Sequence, residues 1–309
     1  MIAERACVLA RQGRLTSVLD SGVGREASIA GIAVDLEPED TLSPSRDVVA
    51  SEFLKGTPLE KIFAGLATSP NGRPHTTEDD GTQPVPIPTA QPQLENACTV
   101  AKAHKAAKNG RVAIVFCGET QPRPGRWRRS LSLASRQSLP IIFVRHLELR
   151  DGLDNTPVRR KINEPPPEAL AFGVPLIQVD GNDAVAVYRV ASESIARARQ
   201  RRGPTLIDCM TDVSADHFGT RAGLESCIAS QRPAGGLDPI HVMESHLAGK
   251  GLLKPELRKA IEDGFAPELE RASRSFANES NIRSARPTEV SRPYNPGPRF
   301  SFIPGNDVF

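Results

Sequence analysis

Arg111 to Glu148 reads RVAIVFCGETQPRPGRWRRSLSLASRQSLPIIFVRHLE, and this stretch decides the fold. Two short apolar runs, RVAIVFCGE and LPIIFVRH, lie on either side of a helix-compatible segment, RWRRSLSLASRQS. Runs rich in β-branched residues with no polar alternation suit strands buried on both faces of a parallel sheet. Upstream, the Ala-rich LENACTVAKAHKAAK from Leu94 is a strong helix former, and Asn109-Gly110 stops it. Downstream comes a third apolar run, VPLIQVDG, then the helical NDAVAVYRVASESIARARQRRG, then a fourth run, GPTLIDCM. Strands alternating with helices predict βαβ units: an α/β protein with a parallel sheet flanked by helices on both faces. Residues 1–68 read as helical, with Leu59, Ile62, Phe63 and Leu66 on one face, and 236–272 return to helix. Residues 69–92, rich in proline and turn formers, form a long loop. The expected organisation is one domain over 1–272 and a polar, Pro-rich tail over 273–309 without fixed structure.

Composition narrows the function. Lys plus Arg number 39 against 37 Asp plus Glu, a net charge of +2 that gives no reason to expect a nucleic-acid surface. No apolar run approaches the ~20 residues that span a bilayer, and MIAERACVLARQGR lacks the apolar core of a secretory signal. The five cysteines, Cys7, Cys98, Cys117, Cys209 and Cys227, form no CxxC pair and read as reduced thiols of a cytoplasmic protein. Arg123, Arg126, Arg128 and Arg129 surround Trp127, but one aromatic is no stacking platform; the cluster reads as a solvated helix start or a contact with a partner subunit. His241 and His246 are five apart, the wrong spacing for two ligands on one helix face.

In open parallel sheets, ligands bind beyond the carboxyl ends of the strands. Two such ends are legible: Cys117-Gly118-Glu119-Thr120 and Arg145-His146-Leu147-Glu148. From Arg111 to Glu148 the chain resembles, without a gap, the alpha subunits of the thiamine-diphosphate-dependent 2-oxo acid dehydrogenases of the pyruvate, branched-chain and acetoin type. There a strand ends in Gly-Asp-Gly, and a Leu-Pro-led strand ends in Asn-Asn. Gly24-Arg25-Glu26-Ala27 resembles the family's Gly-Gln-Glu-Ala, PEDTLSPSRD its Asp…Tyr-Arg-Asp-His, and VDGND-x-x-AVY with GPTLI falls where the family places those segments. Together these cover roughly residues 10–270.

The resemblance implies a thiamine-diphosphate-binding fold, thiamine diphosphate and magnesium as cofactors, and oxidative decarboxylation of a 2-oxo acid. It also implies a beta-subunit partner in a heterotetramer, and acyl transfer to a lipoyl-bearing acyltransferase. By position, Glu119 and Glu148 take the places of the two metal ligands. Gly118 and Thr120 take the places of the two glycines, and Arg46 that of the arginine at the diphosphate. His217 takes the place of the histidine near the cofactor and is the catalytic candidate. Several of these positions are substituted. Glu119 is one methylene longer than aspartate, and magnesium tolerates displaced ligands poorly. Glu148 adds a negative charge beside an anionic cofactor, worth ~4 kcal/mol at about 4 Å and an effective dielectric near 20. Thr120 puts a side chain where the family has none, and the Pro-rich 69–92 replaces a Gly-rich loop. Two readings therefore stand. The chain is a working alpha subunit, or it is a paralogue that keeps the fold and acts as a binding or regulatory subunit.

Overall fold

The structure is a computed structural model and describes residues 1–11, 24–43, 50–66, 93–117, 124–148, 167–211 and 238–278. Within them, β1 (Thr41–Ser43), β2 (Ala113–Cys117), β3 (Ile141–Glu148), β4 (Leu176–Asp180) and β5 (Thr205–Thr211) form one sheet. The order is β1-β2-β3-β5-β4, and every neighbouring pair is parallel. The last four strands are the apolar runs of the sequence. β1 corrects the all-helical expectation for residues 1–68: three residues are too few to show a period, and only Leu42 is buried.

The helices are α1 (Ile2–Arg11), α2 (Glu26–Ala33), α3 (Ala50–Leu54), α4 (Leu59–Leu66), α5 (Gln93–Ala107), α6 (Pro124–Arg136), α7 (Pro167–Ala171), α8 (Ala184–Arg199), α9 (Pro239–Gly249) and α10 (Pro255–Asn278). All five residues of β2 are buried because both faces are covered. Ile114 and Phe116 pack with Ile142, Val144 and Ile207 under α2 and α8. Ala113, Val115 and Cys117 pack with Ile141 and Phe143 under α5, α6 and α7. α2 and α8 cross at Gly31, where an added Cβ would stand 2.8 Å from Val187 Cγ1. Asp183 caps α8, accepting from the amides of Val185 (2.9 Å) and Ala186 (3.0 Å).

A third core joins α1, α4 and α10 through Leu9, Leu59, Ile62, Phe63, Leu269 and Ala272. This packing carries α10 past residue 272, where the sequence ends the ordered chain, as far as Asn278. Ser273 is 1% exposed, accepts from Arg5 Nε at 2.8 Å and donates to the Leu269 carbonyl at 2.6 Å. The loop over 69–92 and the tail from 279 lie outside the described residues. Among the described residues no helix is long and apolar enough to cross a membrane.

The crossovers split the carboxyl edge of the sheet. α6 and α7, leaving after β2 and β3, pack on one face, whereas α8, leaving after β4, packs on the other. Divergence of this kind opens the crevice in which parallel α/β sheets hold ligands.

Candidate functional site

Four adjacent strand ends meet at that edge: Ser43 of β1, Cys117 of β2, Glu148 of β3 and Thr211 of β5. The register sets them closely, with Cys117 opposite Arg145 and Glu148 opposite Thr211. Each of the first two and the last leads directly into a segment singled out in the sequence. Arg46 follows Ser43 by three residues, Gly118, Glu119 and Thr120 follow Cys117, and His217 follows Thr211 by six. These five residues lie outside the described residues, and of Glu148 only the backbone, as the last residue of β3, is described. The structure thus brings the strands that deliver the candidates to one edge.

The described side chains at this edge form four groups. Gln93, at the start of α5, donates from Nε2 to the carbonyls of Ser43 and Phe116, both at 2.9 Å. It ties the end of β1 to the end of β2. Gln93 stands one residue before Leu94, where the sequence starts this helix.

On the α2 side, His146 is 4% exposed and stacks on Phe116 with centroids 5.7 Å apart. Its Nε2 lies 2.8 Å from Ser28 Oγ, and Ser28 donates to the Arg25 carbonyl at 2.9 Å. A hydroxyl has one proton, so with that proton committed to Arg25 the hydrogen of the Ser28–His146 bond is carried by Nε2. Arg25 itself is 4% exposed, and Glu26 accepts from the Gly24 amide at 2.8 Å. The Gly24-Arg25-Glu26-Ala27 segment is thereby fastened against the end of β3. No periodicity in the sequence signals the Ser28–His146 contact, which spans 118 positions.

On the α6 side, Arg145 makes a bidentate pair with Asp208, Nε to Oδ1 at 2.7 Å and NH2 to Oδ2 at 2.5 Å. Its guanidinium lies 5.9 Å from the Trp127 ring centroid. Asp208 is fully buried, so the fork geometry and the ring together compensate the charge. Next to it, burial and then Asp208 raise the Cys209 thiol far above its ordinary range, which leaves it protonated and unreactive.

β4 closes the edge with Asp180-Gly181-Asn182-Asp183. Gly181 donates to the Met210 carbonyl at 2.7 Å, and an added Cβ would lie 2.6 Å from Thr211 Cγ2 and 3.0 Å from that carbonyl. Glycine is required by close approach to β5. Asp180 Oδ1 accepts from both the backbone N–H (2.9 Å) and Nδ2 (3.2 Å) of Asn182. Asn182 Oδ1 and Thr211 Oγ1 are buried and have no hydrogen-bond partner among the described residues. Two orphaned oxygens at a strand edge are a cost that a bound polar group relieves. Among the described residues no three His, Cys, Asp or Glu side chains converge on a common point.

The sequence model of the Dehydrogenase E1 component family matches residues 1–282. The pyruvate dehydrogenase E1 component subunit alpha of Acholeplasma laidlawii is 27% identical over 84% of this chain and 75% of its own length. The 3-methyl-2-oxobutanoate dehydrogenase subunit alpha of Mycobacterium tuberculosis is 30% identical over 82% of this chain and 68% of its own length. A transketolase from Campylobacter jejuni aligns with a TM-score of 0.48 at 13% identity, covering 91% of this chain and 47% of that one. The assignment rests on the family match and the sequence relatives: the chain belongs to the Dehydrogenase E1 component family, among the alpha subunits of 2-oxo acid dehydrogenases.

Proposed function

We propose that this chain serves as the alpha subunit of a 2-oxo acid dehydrogenase. It acts with a beta subunit on a small 2-oxo acid such as pyruvate, and the acyl group passes to a lipoyl-bearing acyltransferase. One observation supports the reading. The adjacent parallel ends of β1, β2 and β5 lead into the segments that carry Arg46, Glu119 and His217, and β3 ends at Glu148, the residues that the resemblance puts at the cofactor.

The donor set fits a divalent cation. Glu119 and Glu148 are hard oxygen donors of the kind magnesium takes, and the orphaned Thr211 hydroxyl stands opposite Glu148 in the ladder. Glu119 and Glu148 would hold the metal, Arg46 would face the diphosphate, and His217 would stand near the reacting end. Thiamine diphosphate, when bound, supplies the electron sink for decarboxylation. The remaining work falls to this chain. Gln93 locks two strand ends together, and the Ser28–His146 bond holds the start of α2 against β3. The Arg145–Asp208 pair stops a buried carboxylate from adding repulsion near an anionic ligand.

The alternative reading rests on the sequence substitutions alone. Glu148, Thr120 and the Pro-rich 69–92 each act against diphosphate binding. A subunit with the fold and the subunit contacts, but without cofactor chemistry, accounts for all three. Calorimetric titration of thiamine diphosphate with magnesium into the chain, alone and with its beta partner, separates the two. Saturable micromolar binding with turnover of a 2-oxo acid establishes the working subunit. An assembled complex with no magnesium-dependent heat establishes the inactive one.

A further inference from the structure

The arginine cluster of α6 is divided by the fold. Trp127 turns inward, 6% exposed, with its ring 5.6 Å from Phe143 in edge geometry. Arg126 pairs with Glu95 of α5 at 3.8 Å. Arg128 and Arg129 turn outward and line a groove of about 430 Å³ with Ser132, Leu133 and Arg136 of the same helix and Phe172 beyond α7. Arg123 lies outside the described residues.

Three features of this groove belong together. First, α6 carries four arginines and no acidic residue in its 13 positions, although the whole chain is only +2. Arg126, Arg128 and Arg129 crowd the amino-terminal turns, where the helix dipole disfavours cations and acidic side chains are the stabilising choice. Second, among the described residues Arg128, Arg129 and Arg136 form no ion pair. Arg129 spends only its Nε, on the Gly125 carbonyl at 3.3 Å. Exposed arginines on other elements do find carboxylates, as Arg258 does with Glu244 and Glu262 and Arg274 with Glu270. Third, the groove has an apolar floor. Leu133 is 38% exposed, and the backbone at Phe172 is anchored by Ser135 Oγ at 2.6 Å. Arg128, Ser132 and Arg136 form a row four residues apart, about 12 Å long at 1.5 Å per residue.

We propose that this groove is a docking surface for an acidic helical segment of a partner protein, its carboxylates meeting Arg128, Arg129 and Arg136 and an apolar side chain resting on Leu133 and Phe172. Guanidinium forks match carboxylates bidentately, and the four-residue row matches carboxylates repeated once per turn on a facing helix. A nucleic acid fits less well: the cluster's one aromatic is buried in the core and cannot stack on a base. The inference stands independently of whether thiamine diphosphate binds.

The test uses the full chain and a fluorescein-labelled helical peptide with glutamates four apart on one face and leucines between them, followed by anisotropy at low salt. Controls are the same peptide with glutamine for glutamate, a short single-stranded DNA, and inorganic diphosphate as competitor. Arg128→Ser with Arg136→Ser weakens binding about tenfold, Leu133→Ser weakens it severalfold, and Arg271→Ser on α10 leaves it unchanged. Circular dichroism confirms that the variants keep their helix content. Absence of saturable binding, equal binding of the glutamine peptide or the DNA, displacement by diphosphate, or indifference to Leu133→Ser overturns the proposal.

Discussion

Gly181→Ala tests whether the end of β4 is built around its contact with β5. The backbone at Gly181 does not need the left-handed region, so alanine meets no conformational penalty, and its effect is steric. The new Cβ would stand 2.6 Å from Thr211 Cγ2, 3.0 Å from the Met210 carbonyl and 3.3 Å from Cys209 Cβ. Carbon atoms pack best at about 3.5–4.0 Å, so the closest contact is short by roughly 1 Å. Insertions of this kind cost about 1–3 kcal/mol, because β4 and β5 must separate or the Thr211 side chain must leave its rotamer. At roughly 2–4 °C per kcal/mol for a large domain, Tm falls by several degrees. Thr211→Ser removes the methyl that makes the shortest contact. The double variant therefore recovers part of the loss, with a coupling of about 1 kcal/mol in a double-mutant cycle read by urea unfolding. On the role proposed for Glu148, which lies opposite Thr211, cofactor affinity falls with stability in Gly181→Ala and returns with it in the double variant. A Gly181→Ala protein within half a kcal/mol of wild type, or one that Thr211→Ser does not rescue, refutes the steric account.

Further outcomes follow from other contacts. Arg145→Met leaves Asp208 buried and unpaired and costs about 3–5 kcal/mol, whereas Arg145→Met with Asp208→Leu recovers most of it; equal losses in chemical denaturation would show that the pair carries no charge burden. Burial, and then Arg111, hold His104 below the ordinary histidine range, and its Nε2 is 2.9 Å from Thr41 Oγ1. The unfolded chain then binds more protons, so this contribution is present above about pH 6.5 and is lost as pH falls towards the folded pKa. A His104→Gln variant has a flatter Tm profile between roughly pH 7.5 and 5.5, and an unchanged slope assigns the dependence elsewhere. Glu148→Asn with Thr120→Gly raises the affinity for thiamine diphosphate at saturating magnesium, by up to three decades if the full ~4 kcal/mol of repulsion is relieved. A calorimetric titration in which affinity is unmoved or lower shows that these positions do not face the diphosphate. Gly31→Ala forces a Cβ to 2.8 Å from Val187 Cγ1 and lowers Tm by loosening α2 from α8, without the rescue by Thr211→Ser that marks position 181.

Much of the architecture could be read from local chemistry. β2 announced itself because a strand buried on both faces is apolar throughout, as AIVFC is, and β3, β4 and β5 each contain a shorter apolar run. α5 and α8 were legible from helix propensity, and α5 also from its stop at Asn109-Gly110. β1 was not, since three residues held by pairing to β2 have no period of their own. Nor was the last turn of α10, whose polar sequence becomes ordered by Leu269 and Ala272 packing on α1 and α4.

The candidate site divides along the same line. Sequence alone established the family pattern, the carboxylates at Glu119 and Glu148, and the charge they bring, because residue type and order along the chain are one-dimensional facts. Only the folded chain decided that β5 inserts between β3 and β4, that Gln93 bridges β1 and β2, and that His146 bonds Ser28 from 118 positions away. It also decided which arginines of α6 are spent on partners and which face solvent. Those outcomes depend on which elements pack together across the sheet, and side-chain periodicity within an element carries no record of the surface it will meet.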